Sequence, residues 1–409
     1  MTNNQSKTAD RLPNIFYIYY AALFMGNAIY NSFFSAYFAQ AGMAESRIGL
    51  LFGIAPMVGL VMQPIWGGMA DRAKTKNRIL LLVLSGVMLS IVVFYLVGNF
   101  YQGDLASKLL LLSGAMILFS AFQNAVIPLH DTITLDYISR HGGFYGTARM
   151  SGTIGYAVMA LVAGAIFNRL PDSVFPLYFL VLCFVFFCAA RLPKASGYRQ
   201  KGEKGSVLDV LKDKEILLIL LLTCVQYTTM AYGHTFLGPY MLALGGNSAL
   251  IGLANTVQAL TEIPFHIKWG RNLMKKIGIH RLLIISAIIG ACRWALTAMS
   301  HSPALLVVAN GFEGLMLVPL IVGVVEYINS RVDRKLKATA QTALTLFSVV
   351  IARTVGNIGG GALIDVFNAA GLNGMRMTFW VLVPISLIAI VAIGIPLLAM
   401  QRKSREDKN

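Results

Sequence analysis

Long apolar runs separated by short polar connections repeat along the whole chain. A helix needs about 20 mostly apolar residues to cross the hydrocarbon core of a bilayer. Twelve segments have that character: 14–40, 47–69, 79–99, 108–137, 147–169, 174–192, 215–241, 248–269, 282–300, 303–328, 339–366 and 377–400. The alternation of apolar and polar positions that is typical of a membrane β-barrel is missing from the sequence. The pattern therefore predicts an all-α integral membrane protein with twelve transmembrane helices.

The longest polar connection divides these segments six and six. It has the sequence PKASGYRQKGEKGSVLDVLKDK and is rich in glycine and lysine. We therefore predict an N-terminal six-helix bundle over 1–192 and a linker over 193–214. A C-terminal six-helix bundle over 215–400 and a tail over 401–409 complete the predicted organisation.

Matching residues recur in the two halves at an offset of 203 positions. The matches are Ile48-Gly49-Leu50 with Ile251-Gly252-Leu253, Trp66-Gly67 with Trp269-Gly270, Arg78 with Arg281 and Leu80 with Leu283. Internal repeats of this kind are found in transporters built from two related bundles. The repeat favours two six-helix bundles that enclose a central cavity open to one side at a time.

Composition and charge agree with a membrane protein. Hydrophobic residues make up 56% of the chain and charged residues 13%, whereas soluble domains carry about 25% charged residues. With the N-terminus in the cytoplasm, 28 of the 34 Lys and Arg residues fall in the inner tails and loops. The positive-inside rule then predicts a multi-pass protein of the cytoplasmic membrane with both termini inside. The net charge of +16 is explained by these loops without nucleic-acid binding.

Four charged residues stand near the middle of apolar segments in the second half. They are Glu262, Arg293, Glu313 and Arg353. A charge in mid-membrane costs several kcal/mol and usually serves a function. Two acids and two bases can neutralise one another, and an acid released from its arginine can take up a proton. We expect Glu313, and second Glu262, to carry a coupled proton, although a static ion-pair network is an alternative.

Polar and ionisable side chains within other segments are candidates for solute binding. In the first half, Asp131 and Arg149 are the charged candidates, and Asp131 is also a candidate for proton coupling. The uncharged candidates are Asn27, Asn31, Gln123, Asn124, Gln226, Tyr227 and Gln258. Hydrogen bonding between helices is the alternative role for each of them. If they share one cavity, they suit a solute with several hydroxyl or amide groups.

The connection WGGMADRAKTKNR, residues 66–78, resembles the signature loop of the major facilitator superfamily. The resemblance rests on Gly67, Met69, Ala70, Asp71, Arg72 and Lys76. It implies that the acid, Asp71, helps to close the inner side by bonding across the bundle interface, with the bases Arg72 and Lys76 beside it. A solvated loop acid is the alternative interpretation.

Within that superfamily the chain is similar to the group that holds lactose permease and phenylpropionate permease. The stretch GTARMSGTIGYAV resembles the fifth span of lactose permease. This implies that Arg149 binds sugar hydroxyls and that Tyr156 stacks on a sugar ring, with Asp131 near the sugar-binding carboxylate. Gly314 and Leu317 occupy the positions of the proton-carrying His and Glu of that permease, so its coupling residues do not carry over.

These features predict a secondary transporter that moves a small polar organic solute, such as a sugar, nucleoside or aromatic acid, by proton symport. The alternative is an exporter that exchanges a drug or metabolite for protons. The catalytic motifs of hydrolases, metalloproteases and P-loop enzymes are missing from the sequence, so an enzyme is not expected. We expect no cofactor or metal, a proton gradient as energy source, lipid as the surroundings and a monomer as the working unit.

Overall fold

The computed structural model describes residues 12–197, 207–264, 276–332 and 336–406. These residues form helices and short connections, without a strand among them. The first half contains α1 (Asn14–Gln40), α2 (Glu45–Arg72), α3 (Lys76–Phe100), α4 (Leu105–His141), α5 (Tyr145–Arg169) and α6 (Val174–Ala190). A short helix, α7 (Val207–Leu211), follows the linker. The second half contains α8 (Lys214–Ala243), α9 (Ser248–Pro264), α10 (Ile279–Met299), α11 (Pro303–Asn310), α12 (Glu313–Val318), α13 (Val324–Arg331), α14 (Lys337–Thr345), α15 (Ala352–Ala369), α16 (Gly374–Ala389) and α17 (Ile395–Glu406).

In the described residues each of the twelve predicted segments falls on helix, which confirms the all-α membrane fold, and the end of the eighth segment, 265–269, lies outside those residues. Nine helices of the described ranges are long and apolar enough to cross a bilayer. The three last segments are less regular than predicted, because each contains a π-helical turn, at Pro319–Gly323, Leu346–Ile351 and Ile390–Gly394. Such turns insert an extra residue into a helix and are frequent at functional positions.

Side-chain caps mark the beginnings of several helices. Asp104 accepts a hydrogen bond from the backbone N–H of Ser107 at the start of α4. Asn373 accepts one from the N–H of Arg376 at the start of α16. Short polar side chains in this position satisfy N–H groups that have no partner within the helix. The polar connections of the sequence therefore end and restart helices where the apolar pattern predicts.

The chain forms two compact units. The first contains residues 1–34 and 54–200, and the second contains residues 35–53 and 201–409. The segment 35–53 thus packs with the second unit, whereas the predicted N-terminal bundle runs without interruption to residue 192. The predicted bundle and linker bounds stay a prediction, and part of the linker, 198–206, lies outside the described residues.

The first unit has an aromatic core between α1, α3, α4 and α6. Phe34 contacts Phe94, Phe119 and Phe175, with ring centroids between 5.4 and 5.7 Å apart. Phe94 and Phe175 stack at 5.2 Å with an interplanar angle of 3°. Offset stacking and edge-to-face contacts of this kind stabilise packed aromatic rings. This core fixes the helices that carry the polar side chains of the first unit.

The second unit is held by close helix contacts at small residues. A Cβ atom at Gly361 of α15 would lie 2.6 Å from the carbonyl oxygen of Glu45, and one at Gly53 would lie 2.5 Å from the side chain of Ile358. Thr354 donates a hydrogen bond of 2.8 Å to the carbonyl oxygen of Gly53. Small residues let membrane helices approach closely where lipid provides no hydrophobic driving force. Gly361 of α15 and Gly53 of α2 therefore serve close packing.

Candidate functional site

A buried acid–base group joins three helices of the second unit. Glu313 at the start of α12 forms an ion pair with Arg293 of α10. The other carboxylate oxygen of Glu313, Oε1, lies 2.8 Å from Nε2 of His234 on α8. The side chains of Glu313 and Arg293 are 0% and 2% exposed, and that of His234 is 38% exposed. The structure thus brings together two predicted residues and His234, whose place in the sequence favoured a cavity-lining or helix-end role over proton transfer.

Arg293 makes two further contacts besides its ion pair with Glu313. It donates a hydrogen bond of 2.5 Å from Nη2 to Oδ1 of Asn310, and its guanidinium lies 4.5 Å from the ring centroid of Trp294. Burying an ion pair costs desolvation energy that only good geometry and further hydrogen bonds offset. The contacts with Asn310 and Trp294 offset part of that cost.

The polar network continues from Asn310 to α9. Nδ2 of Asn310 donates to the carbonyl oxygen of Ala254 at 2.9 Å and to Oε1 of Gln258 at 3.4 Å. Gln258 in turn donates to Oε1 of Glu262 at 3.4 Å. The two predicted acids, Glu262 and Glu313, are therefore linked through Arg293 and the amide side chains of Asn310 and Gln258. We call the set His234, Glu313, Arg293, Asn310, Gln258 and Glu262 the acid–base network.

Arg353, the second predicted base, lies outside the acid–base network. It occupies the first turn of α15 with an exposed side chain, and the described residues form no ion pair with it. Tyr227 of α8 lies within electrostatic range of Arg353, Glu313 and Glu262. Tyr227 is half-buried, whereas the neighbouring Gln226 is fully buried. Gln226 is enclosed by the helices of its own unit, and the solute-binding role of Tyr227 stays a prediction.

A second polar group lies inside the first unit. Tyr20 of α1 donates a hydrogen bond of 2.6 Å to Oδ1 of Asp131 on α4. The ring of Tyr20 also meets Tyr145 edge-on at 6.1 Å. His130 is fully buried behind them and stacks on Tyr19 at 4.0 Å. The half-buried carboxylate of Asp131 therefore lies near the phenol groups of Tyr20 and Tyr145. This setting suits hydrogen bonding to hydroxyls.

Arg149 of α5 lies near Asp131 and these phenol groups. Its guanidinium is 4.2 Å from the ring centroid of Phe24, and Nη1 is buried without a hydrogen-bond partner among the described residues. Arg149 is close enough to act electrostatically on Asp131. Tyr156, two turns further along α5, is half-buried. Arginine over an aromatic face keeps a fixed orientation, so its N–H groups are positioned to bind an incoming acceptor.

The amide candidates of the first unit divide into two kinds. Asn27 is buried and accepts a hydrogen bond of 3.0 Å from Gln123. Asn31, one turn later, is exposed. Asn124 donates to the carbonyl oxygens of Ala55 and Ser120, each at 2.9 Å. Asn124 thereby joins α4 to α2, while Asn27 and Gln123 join α1 to α4.

The predicted gating residues lie at the end of α2 and the start of α3. Asp71 and Arg72 are exposed, and the ion pairs of the described residues involve neither. The backbone N–H of Lys76 donates to the carbonyl oxygen of Ala195 at 2.8 Å. A cavity of about 140 Å³ between α2 and α4 is bordered by Asp71, Gln63 and Thr132. Asp71 is thus available to a partner, and its gating role stays a prediction.

A third polar cluster lies at the predicted inner end of the second unit, and sequence reasoning missed it. Glu215 at the start of α8 is buried and lies 2.7 Å from Nε2 of His280 on α10. The same carboxylate accepts from Tyr327 and lies 2.8 Å from Arg331. We call these residues, together with Asp213, the inner cluster. Its members stand at helix ends among many other loop charges, so their pattern along the sequence carries no distinguishing signal.

Asp213 and Arg331 shift each other's titration in the inner cluster. Arg331 donates from Nε to Oδ2 of Asp213 at 2.8 Å. Partial burial acts to raise the pKa of Asp213, but the hydrogen bonds from Arg331 and from the N–H groups of Ile216 and Glu215 hold that pKa below its usual value. The hydrogen bond to Asp213 likewise raises the pKa of Arg331. Both groups are therefore held in their charged forms.

Comparison with known proteins identifies the family of the chain. The model of the MFS_1 like family matches residues 11–373. The uncharacterized transporter YwbF of Bacillus subtilis is 22% identical over 95% of this chain and 93% of its own. The maltose permease of Geobacillus stearothermophilus is 26% identical over 82% of this chain and 83% of its own. The crystal structure of the nucleoside transporter NupG superposes with a TM-score of 0.77 at 14% identity, over 95% of this chain and 99% of that one.

The family match covers most of the chain, and the similarity to NupG concerns the fold. The relatives are membrane transporters of small molecules, which makes this chain a carrier and not an enzyme. Its apolar helices, its buried charges and the family match agree with one another. The chain belongs to the MFS_1 like family and is a multi-pass membrane transporter of the major facilitator type.

Proposed function

We propose that the protein is a proton-coupled symporter that takes up a small polar organic solute by alternating access. The observation that carries this proposal is the ion pair of Glu313 with Arg293 in the interior of the second unit. An arginine keeps its proton at any physiological pH, whereas a carboxylate takes one up when a partner leaves. A switch of Arg293 away from Glu313 therefore permits protonation of Glu313.

The solute that we favour carries several hydroxyl groups. The phenols around Asp131 and the positioned guanidinium of Arg149 can donate and accept hydrogen bonds in several directions. Tyr227 offers a further phenol near the acid–base network. Four relatives are named maltose, raffinose, lactose and melibiose permeases and one a probable 3-phenylpropionic acid transporter, which favours a sugar and keeps an aromatic acid in the test. A nucleoside shares the same hydroxyl chemistry and belongs in the test.

The transport cycle that we propose moves residues 1–192 and 215–400 against each other about a central site. Asp71, Arg72 and Lys76 stabilise the state that is closed on the inner side. We further propose that the protein works as a monomer in the cytoplasmic membrane, with both termini in the cytoplasm. The distribution of Lys and Arg supports this orientation.

The test is the external pH of lightly buffered, de-energised cells that express the protein while single solutes are added. The panel contains sugars, nucleosides and aromatic acids, and cells with Glu313→Gln are the control. Alkalinisation with one solute supports proton symport and identifies the solute class. Absence of a response to every solute, together with drug-dependent loss of an imposed proton gradient in vesicles, would support an exporter.

A further inference from the structure

His234 is the accessible member of the buried acid–base network. Its side chain is 38% exposed, whereas those of Glu313 and Arg293 are 0% and 2% exposed. An ionisable side chain in mid-membrane faces the protein interior or a water-filled space. The ring of His234 is thus open on one side, while its Nε2 atom contacts the carboxylate of Glu313.

A carboxylate in this position needs a route by which protons reach it. In the described residues, the recorded charged and titratable contacts of Glu313 are Arg293 and His234. Arg293 cannot pass on a proton because its guanidinium does not deprotonate in proteins. An imidazole ring can accept a proton at one nitrogen and release another from the second. His234 is thus the contact of Glu313 that is chemically able to deliver a proton.

The surroundings of this pair are few and identifiable. Arg293 of α10 pairs with Glu313. Glu262 of α9 is the far member of the acid–base network and is hydrogen-bonded to Gln258. Tyr227 lies on α8 seven residues before His234, hence on the same side of that helix two turns away. Arg353 of α15 lies within electrostatic range of Tyr227. A solute that contacts Tyr227 is therefore adjacent to the pair that handles the proton.

We propose that His234 relays the coupled proton between cavity water and Glu313, an inference that rests on the proposed proton symport. In the loading step, Nδ1 accepts a proton from water, the Nε2–H bond breaks and Oε1 of Glu313 gains that proton. In the release step, Oε1 returns its proton to Nε2 and the Nδ1 proton goes to water. One proton is carried per cycle, and the ring returns to its starting form.

The relay is tested with His234→Gln, because glutamine keeps a hydrogen bond to Glu313 but cannot pass a proton through a ring. We expect solute-driven proton uptake to slow by about a hundredfold, the lower range for loss of a proton-transfer group. Solute counterflow, which exchanges labelled for unlabelled solute without net proton movement, is expected to persist. His301→Gln is the matched control, since His301 is exposed in a connection of the same unit.

Proton uptake by His234→Gln at the rate of the unaltered protein would overturn the relay. If His234→Gln also loses counterflow, His234→Ala with added imidazole distinguishes a relay from a structural role. Recovery of solute-driven proton uptake with imidazole supports the relay, and lack of recovery assigns His234 a structural role instead. If the unaltered protein itself shows no proton movement with any solute, the proposed symport has failed, which is distinct from a failure of the relay alone.

Discussion

The carboxylate of Glu313 is paired with the guanidinium of Arg293 in the interior of the second unit, away from solvent. The two residues are 20 positions apart in the sequence and stand on different helices. Breaking such a pair is costly, because the remaining charge is left without a partner in a medium of low polarity. This relationship makes the pair both a structural element and a candidate switch.

The variant Glu313→Gln should uncouple transport from the proton gradient. Glutamine preserves the shape and some hydrogen bonding but cannot take up a proton. We expect loss of gradient-driven accumulation while solute counterflow continues. Uptake and counterflow of labelled solute in vesicles measure the two activities, and an equal loss of both would argue against a specific coupling role.

The ion pair also makes a prediction for stability. Arg293→Met leaves the carboxylate of Glu313 buried without its cation, at a cost of about 3–5 kcal/mol. The double variant Arg293→Met with Glu313→Gln removes both charges and should recover most of that loss. Thermal unfolding of the purified protein in detergent compares the three forms. Additive losses in the double variant would show that the two side chains are not coupled.

Arg149→Lys should weaken solute binding without uncoupling transport. Lysine keeps the charge but loses the planar group that lies over Phe24 and the fork of N–H donors. We expect the KM for solute to rise by about tenfold, corresponding to the loss of one charge-assisted hydrogen bond. Initial uptake rates over a range of solute concentrations give this value. An unchanged KM would assign Arg149 to anchoring the helix end.

Two glycines of α15 form a matched pair for packing. A Cβ atom at Gly361 would lie 2.6 Å from the carbonyl oxygen of Glu45, whereas one at Gly359 would meet open space. Gly361→Ala should therefore destabilise the protein by about 1–3 kcal/mol. Gly359→Ala should be neutral or stabilise slightly, because alanine favours helix over glycine. The unfolding temperatures of the two variants measure this difference. Equal effects would contradict the close contact of Gly361 with Glu45.

The inner cluster makes stability depend on pH. The pKa of Asp213 is lowered in the folded protein, so its contribution is present above the ordinary pKa of aspartate, about 3.9, and is lost as pH falls through the folded value. Between about pH 6 and pH 3, the unfolding temperature of the unaltered protein should fall more steeply than that of Asp213→Asn. If the unfolding temperatures of the two proteins depend on pH in the same way, the contact with Arg331 does not contribute to stability.

The sequence by itself determined the membrane class and the helical segments. An apolar run of about 20 residues must form a helix in lipid, since every backbone N–H and C=O group needs an internal partner. Glu313 and Arg293 stood out as isolated charges inside apolar segments, because a charged side chain is costly within the membrane. The π-helical turns near Pro319 and Leu346 were not predicted, because they depend on how neighbouring helices pack.

Tertiary structure alone decided which side chains meet. Hydropathy places a residue at a depth in the membrane, but the rotation of its helix and the packing of neighbours decide its direction. Arg293 and Arg353 therefore looked equivalent in the sequence, although Arg293 pairs with Glu313 and Arg353 is exposed. Packing likewise encloses Gln226 and brings His234 to 2.8 Å from Glu313, a contact between residues 79 positions apart.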